Sequence, residues 1–108
     1  MSNLVVWELL GVLILQTLDS MGDPAETFKV EREGENHPLI HYLDRRLSKA
    51  LGVQGAARCP ELERKILELK RRDPSALKKL VERAVRDYYA ERKIYLNEKT
   101  RAETRLYA

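Results

Sequence analysis

Residues 2–24 read SNLVVWELLGVLILQTLDSMGDP, and no other stretch constrains the fold as tightly. Ser2 or Asn3 supplies a helix N-cap, Gly22 stands where a C′ glycine ends a helix, and Pro24 lies just beyond. Between these marks nearly every residue is Leu, Val, Ile or Trp. At roughly 100° per residue, Glu8, Gly11 and Asp19 gather on one narrow polar stripe and the remaining circumference is apolar. A helix of that kind has to be covered almost all round. Two arrangements achieve this. The other helices of the chain can wrap it as a central element, or part of its surface, including Trp7, Leu10 and Ile14, can meet another subunit.

The same run is a poor membrane element. Leu4 to Leu18 spans 15 residues and holds Glu8, Gln16 and Thr17, whereas a bilayer crossing needs about 20 apolar residues. No Lys or Arg precedes it and no small-residue cleavage pattern follows, so a secretory signal is not expected. A surface anchor would carry cations on its polar face, and this helix has none. Cys59 is the single cysteine and cannot form an internal disulfide. The expectation is a cytoplasmic protein without a membrane partner.

The rest of the chain reads as further helices with marked starts. In DPAETFKVEREG, Asp23 as N-cap, Pro24 at N1 and Glu26 at N3 begin a helix that Gly34 can end. Phe28 and Val30 alternate with charges through Glu33, so a short strand competes with the helix there. In NHPLIHYLDRRLSKALG, Pro38 fits N1, Leu39, Ile40, Leu43, Leu47 and Leu51 share one face, and Gly52 ends the element. PELERKILELKRRD places Leu62, Ile66 and Leu69 on one face. Asp73-Pro74 repeats the Asp-Pro start, and no Gly or Pro follows, so the last helix is expected to be long, reaching at least Leu96 and extending toward the end of the sequence. The fold class is therefore all-α, about five helices around an almost wholly apolar N-terminal helix. Residues 1–96 form the domain and residues 97–108 a helical C-terminal extension.

Charge divides the chain. The net charge is +3. Residues 1–35 carry two basic and seven acidic groups, a balance of −5, while residues 36–108 carry 18 basic and ten acidic groups, a balance of +8. Charged residues make up 34% of the chain against three Asn, two Gln and one Cys. That bias resembles proteins adapted to heat, in which ion-pair networks cost less.

On the last helix, Leu77, Val81, Ala84, Tyr88, Tyr95, Ala102 and Leu106 share a stripe, flanked by Leu80, Val85 and Leu96. Opposite lie Lys79, Arg83, Arg86, Lys93 and Arg101, with Tyr89 at the edge. Regularly spaced cations of this kind suit phosphates, whose neutralisation releases counterions, and Tyr89 at the edge would stack on a base or bond a phosphate. Arg45, Arg46 and Lys49, and the run Lys70-Arg71-Arg72, extend that surface if their helices lie alongside. The same stripe is also what a solvated face looks like, since Glu82 precedes Arg86 by four residues and Asp87 and Glu91 stand nearby. Tyr88 and Tyr95 belong to the core side.

Other constellations fall short of chemistry. His37 and His41 have the i, i+4 spacing of metal ligands, but Pro38 stands where the zinc-protease pattern has Glu, and it makes His37 a capping residue. Gly52-Val53-Gln54-Gly55 is a GxxG without the sheet of a KH domain. The helices flanking Gly52 to Cys59 are separated by eight residues, too many for a helix-turn-helix. Cys59 at a helix N-cap lacks a paired base. Neither a metal nor a cofactor is expected, and the protein is read as non-enzymatic. Two functions remain: a small oligomeric subunit binding nucleic-acid backbone without sequence specificity, or a protein–protein interaction or structural subunit without nucleic-acid contact.

Overall fold

In the computed structural model, which describes residues 2–53 and 58–94, the chain is all-α. The helices are α1 (Ser2–Ser20), α2 (Pro24–Glu33), α3 (Pro38–Ala50), α4 (Arg58–Arg72) and α5 (Pro74–Glu91), with a 3₁₀ turn at Gly34–Asn36 between α2 and α3. The region around Phe28 and Val30 is helical, not extended, because Asp23 caps it. The Asp23 carboxylate accepts the Glu26 backbone N–H at 3.1 Å. Asp73 accepts the Ala76 N–H at 3.1 Å to start α5. His37 starts α3 in the same way, its Nδ1 accepting the Leu39 N–H at 3.1 Å. All three starts place Pro directly after the cap, where the missing donor has no consequence.

The helix ends obey a second rule. At Gly22 and Gly52 the backbone takes positive φ, 72° and 68°. Asp23 N–H then bonds Leu18 O at 3.2 Å and Val53 N–H bonds Ser48 O at 2.8 Å, the long bond of a Schellman motif. The third such end overturns the expected long last helix. α5 stops at Glu91, Lys93 takes φ 57°, Ile94 N–H bonds Tyr89 O at 2.9 Å, and Lys93 N–H bonds Ala90 O at 3.0 Å. A lysine thus occupies the left-handed position that glycine usually fills. Without a Gly or Pro, nothing in the composition announces this stop. The stretch 97–108, read as a helical extension, lies outside the described residues, as do Tyr95 and Leu96.

α1 packs against α2, α3, α4 and α5, and α5 packs in turn on α3 and α4. The central-helix arrangement is the one the chain adopts. Leu10, Ile14 and Leu18 are fully buried against Val30, Leu39, Leu43, Leu47, Leu62, Ile66 and Val81 in one cluster. Each such side chain contributes roughly 1.5–3 kcal/mol on burial. Leu10 and Ile14, read as subunit-contact residues, are therefore core residues of their own chain, each 0% exposed. Of that trio Trp7 alone remains partly accessible, its ring meeting His41 edge-on at 5.0 Å between centroids.

α4 begins at Arg58, so Cys59 stands inside the first turn and not at the N-cap. No helix among the described residues is long and apolar enough to cross a membrane.

Candidate nucleic-acid interface

The face of α5 opposite the core carries Lys79, Arg83 and Arg86, all exposed. Two of these have acidic partners one turn along. Arg83 Nε lies 3.7 Å from Asp87 Oδ2 and Arg86 Nε lies 3.7 Å from Glu82 Oε1. Asp87 also holds Arg46 at 2.9 Å, which ties α3 to α5. This central part of the stripe is an ion-paired surface, and pairs at this exposure contribute only about 0–1 kcal/mol each. Lys93 is exposed but sits past the helix end, so the helical spacing that aligned it with Arg86 does not extend to it. Arg101 lies outside the described residues.

Tyr89 leaves the candidate surface altogether. It is 2% exposed, and its hydroxyl donates to Glu26 Oε1 at 3.0 Å. Burial, and next the Glu26 carboxylate, push its pKa up. Lys29 Nζ completes the group at 3.2 Å from Glu26 Oε2. Tyr89 stands four residues after buried Val85, and that i, i+4 relation places both on one side of the helix. The apolar face of α5 is wider than a single stripe and includes this second row.

Tyr88 turns inward as well, meeting Tyr42 at 5.4 Å and Tyr89 at 5.0 Å, both edge-on. The Arg92 guanidinium lies 3.7 Å from the Tyr88 ring centroid and its Nη1 donates to Tyr88 O at 3.1 Å. Tyr42 donates to Glu91 Oε2 at 2.9 Å and accepts from Arg46 Nη1 at 2.8 Å. The tyrosines and arginines near the end of α5 therefore fasten it to α2 and α3. The role of Tyr42 was hidden in the sequence, because its acceptor Glu91 is 49 residues away.

The cations that keep their charge open stand at the α4–α5 turn. Lys70, Arg71 and Arg72 close α4, and Lys78 and Lys79 follow the Asp73-Pro74 start of α5. All five are exposed, and none makes an ion pair among the described residues. Lys70 and Lys78 line one cavity of about 310 Å³ with Gln16, Thr17 and Ser20 of α1. The nearest acids are engaged elsewhere. Glu68 meets Arg64 at 3.5 Å, Glu82 meets Arg86, and Asp73 caps α5. Lys78 is the residue that helical-face reasoning passed over. Its position beside Lys70 depends on how α4 and α5 pack.

The histidines separate. His37 is 5% exposed, not partly exposed as its polar character suggests, and its Nδ1 is taken by the cap. Burial lowers its pKa, opposed by Glu33 and Glu26. His41 instead faces Trp7. Among the described residues no group of three or more His, Cys, Asp or Glu could hold a metal ion.

No family model, curated protein or solved structure matches the chain.

Proposed function

We propose that this protein binds the phosphate backbone of nucleic acid, without sequence specificity, through the turn joining α4 and α5. The observation that carries the reading is the grouping of Lys70, Arg71, Arg72, Lys78 and Lys79 around one turn, exposed and outside any ion pair among the described residues. Point cations on flexible stems suit an irregular row of phosphates and supply no base readout. Arg83 and Arg86 border the surface and become available to phosphates only by giving up Asp87 and Glu82. The proposal uses no buried tyrosine and no subunit contact through Leu10 or Ile14. A protein–protein reading draws its support from another surface, the acid-rimmed apolar groove beside Trp7.

Anisotropy of a labelled duplex and of a single strand, titrated across salt concentration, tests the reading. Five phosphate contacts give a log–log salt slope of at most about −4.5 on duplex DNA. Replacing Lys70, Arg72 and Lys79 together by Glu should abolish most of the affinity and flatten the slope, with thermal unfolding unchanged. Replacing Arg83 and Arg86 by Gln should have the smaller effect. Affinity that is absent from the native chain, or that survives the triple reversal, refutes the proposal.

A further inference from the structure

A second concavity lies along α1. Trp7, Val12 and Leu15 form its apolar wall, Val30 of α2 and Ile40 of α3 its floor, and its volume is about 570 Å³. Val12 is 48% exposed in the middle of the helix that organises the core. Glu8, Glu31 and Glu35 line the same concavity, two of them from outside α1. None of the three makes an ion pair with a described residue.

Gly11 also lines this groove. Glycine in a helix interior costs about 1 kcal/mol against alanine, and packing does not demand it here. A Cβ built on Gly11 would stand 3.7 Å from Ile40 Cδ1, an ordinary contact, with no backbone in the way. The missing side chain leaves the floor of the groove open where an occupant would approach α1 most closely.

We propose that the groove is the seat of this chain's own C-terminal segment, residues 95–108. Its sequence, YLNEKTRAETRLYA, offers what the groove lacks: Leu96, Leu106 and Tyr107 for the apolar wall, and Lys99, Arg101 and Arg105 for the three carboxylates, three cations that outnumber the segment's own Glu98 and Glu103. A run of contacts links the end of α5 to one end of the groove. Arg92 covers Tyr88, whose ring lies 6.3 Å from that of His37, and His37 N–H bonds Gly34 O at the groove's end. Fourteen residues follow Ile94. They reach about 20 Å as helix or about 46 Å extended. A symmetric contact between two copies through this face would instead bring six carboxylates together, a like-charge juxtaposition that opposes pairing. Arg101 then serves the groove and not nucleic acid.

The test uses the full chain carrying Cys59→Ser and Thr104→Cys with a nitroxide on the new thiol. Backbone amide signals of Gly11, Val12 and Glu31 should lose most of their intensity, while those of Lys70 to Lys79 keep theirs. Converting Glu8, Glu31 and Glu35 to Lys should restore the groove signals in a protein that unfolds at an unchanged temperature. Groove signals as sharp as the remote ones in the folded, labelled protein overturn the proposal. So does equal broadening when labelled protein is mixed with unlabelled isotope-enriched protein, which would place the segment on a neighbour. Trp7 is the only tryptophan and gives an independent measure without a label. Acrylamide quenching should rise in the Leu96→Asp, Leu106→Asp double variant, and quenching equal to the native chain's also overturns it.

Discussion

The bond from Tyr89 to Glu26 gives the sharpest test of how α5 is held. The Tyr89 side chain is 2% exposed and its hydroxyl meets Glu26 Oε1 at 3.0 Å, while Lys29 covers the other carboxylate oxygen from a solvated position. Tyr89→Phe keeps the ring and removes one donor. A hydrogen bond to a charged group contributes about 1.5–3 kcal/mol, and the loss leaves a largely buried carboxylate oxygen short of a partner. For a chain of this size each kcal/mol shifts the midpoint by about 4 °C, so Tm should fall by about 6–12 °C. Glu26→Gln should cost a comparable amount, and the double variant less than the sum, with a coupling of about 1–2 kcal/mol. Urea unfolding of the four proteins, with equal m values, measures the cycle. A tyrosine standing at the edge of a wet, basic face would lose almost nothing on becoming phenylalanine. A Tm change under about 1 °C, or strict additivity, would therefore refute the inward placement of Tyr89.

Three further changes follow from the helix ends and α1. Because burial holds the His37 imidazole below its ordinary value of 6.5, the unfolded chain takes up the proton first on acidification. Stability should decline as pH falls through that value and level off below the folded-state pKa. His37→Asn keeps a side-chain cap without a titrating group, so urea midpoints across this range should lose the part of the slope that His37 supplies. Lys93→Gly removes a left-handed strain of about 1–2 kcal/mol and adds about 0.5–1 kcal/mol of backbone entropy cost, a net gain centred at about 0.75 kcal/mol. A thermal midpoint unchanged or lowered would show that Lys93 is not strained. Gly11→Ala should raise Tm by about 4 °C, since the new methyl finds ordinary contact at Ile40, and a fall would mean that a Cβ there meets a group beyond Ile40, as a segment seated in the groove would supply.

What the sequence disclosed and what it hid divide along one physical line. Signals that act within a turn of chain were legible. Asp23-Pro24, His37-Pro38 and Asp73-Pro74 each became a capped start, and Gly22 and Gly52 each became a stop. The apolar spacing of Leu39, Leu43 and Leu47, and of Leu62, Ile66 and Leu69, became buried faces. What depends on a partner far along the chain was not legible. Glu26, read as an element of a helix start, is also the acceptor for a tyrosine 63 residues away. Arg46, grouped with Arg45 and Lys49 as a basic run, is bound to Asp87 of α5. Lys93 was hidden for another reason. Its stop is made by backbone bonds to Tyr89 and Ala90, which no residue type along the stretch announces.

The split of charge along the chain becomes a split across α1. Leu13, Gln16, Thr17 and Ser20 line the cavity that Lys70 and Lys78 border, while Glu8, Gly11, Val12 and Leu15 line the acid-rimmed groove. At about 100° per residue the mean directions of these two sets differ by about 140°, so one helix separates the two surfaces. The polar stripe of Glu8, Gly11 and Asp19 on that helix lies on the groove side, and it marks the direction in which α1 is left open by α2 and α3. An almost wholly apolar helix therefore does not have to be sealed on every side within its own core. Its remaining exposed stretch, around Trp7 and Val12, is short and acid-rimmed. The basic turn lies across α1 from it, and an occupant of the groove would leave that turn open to phosphates.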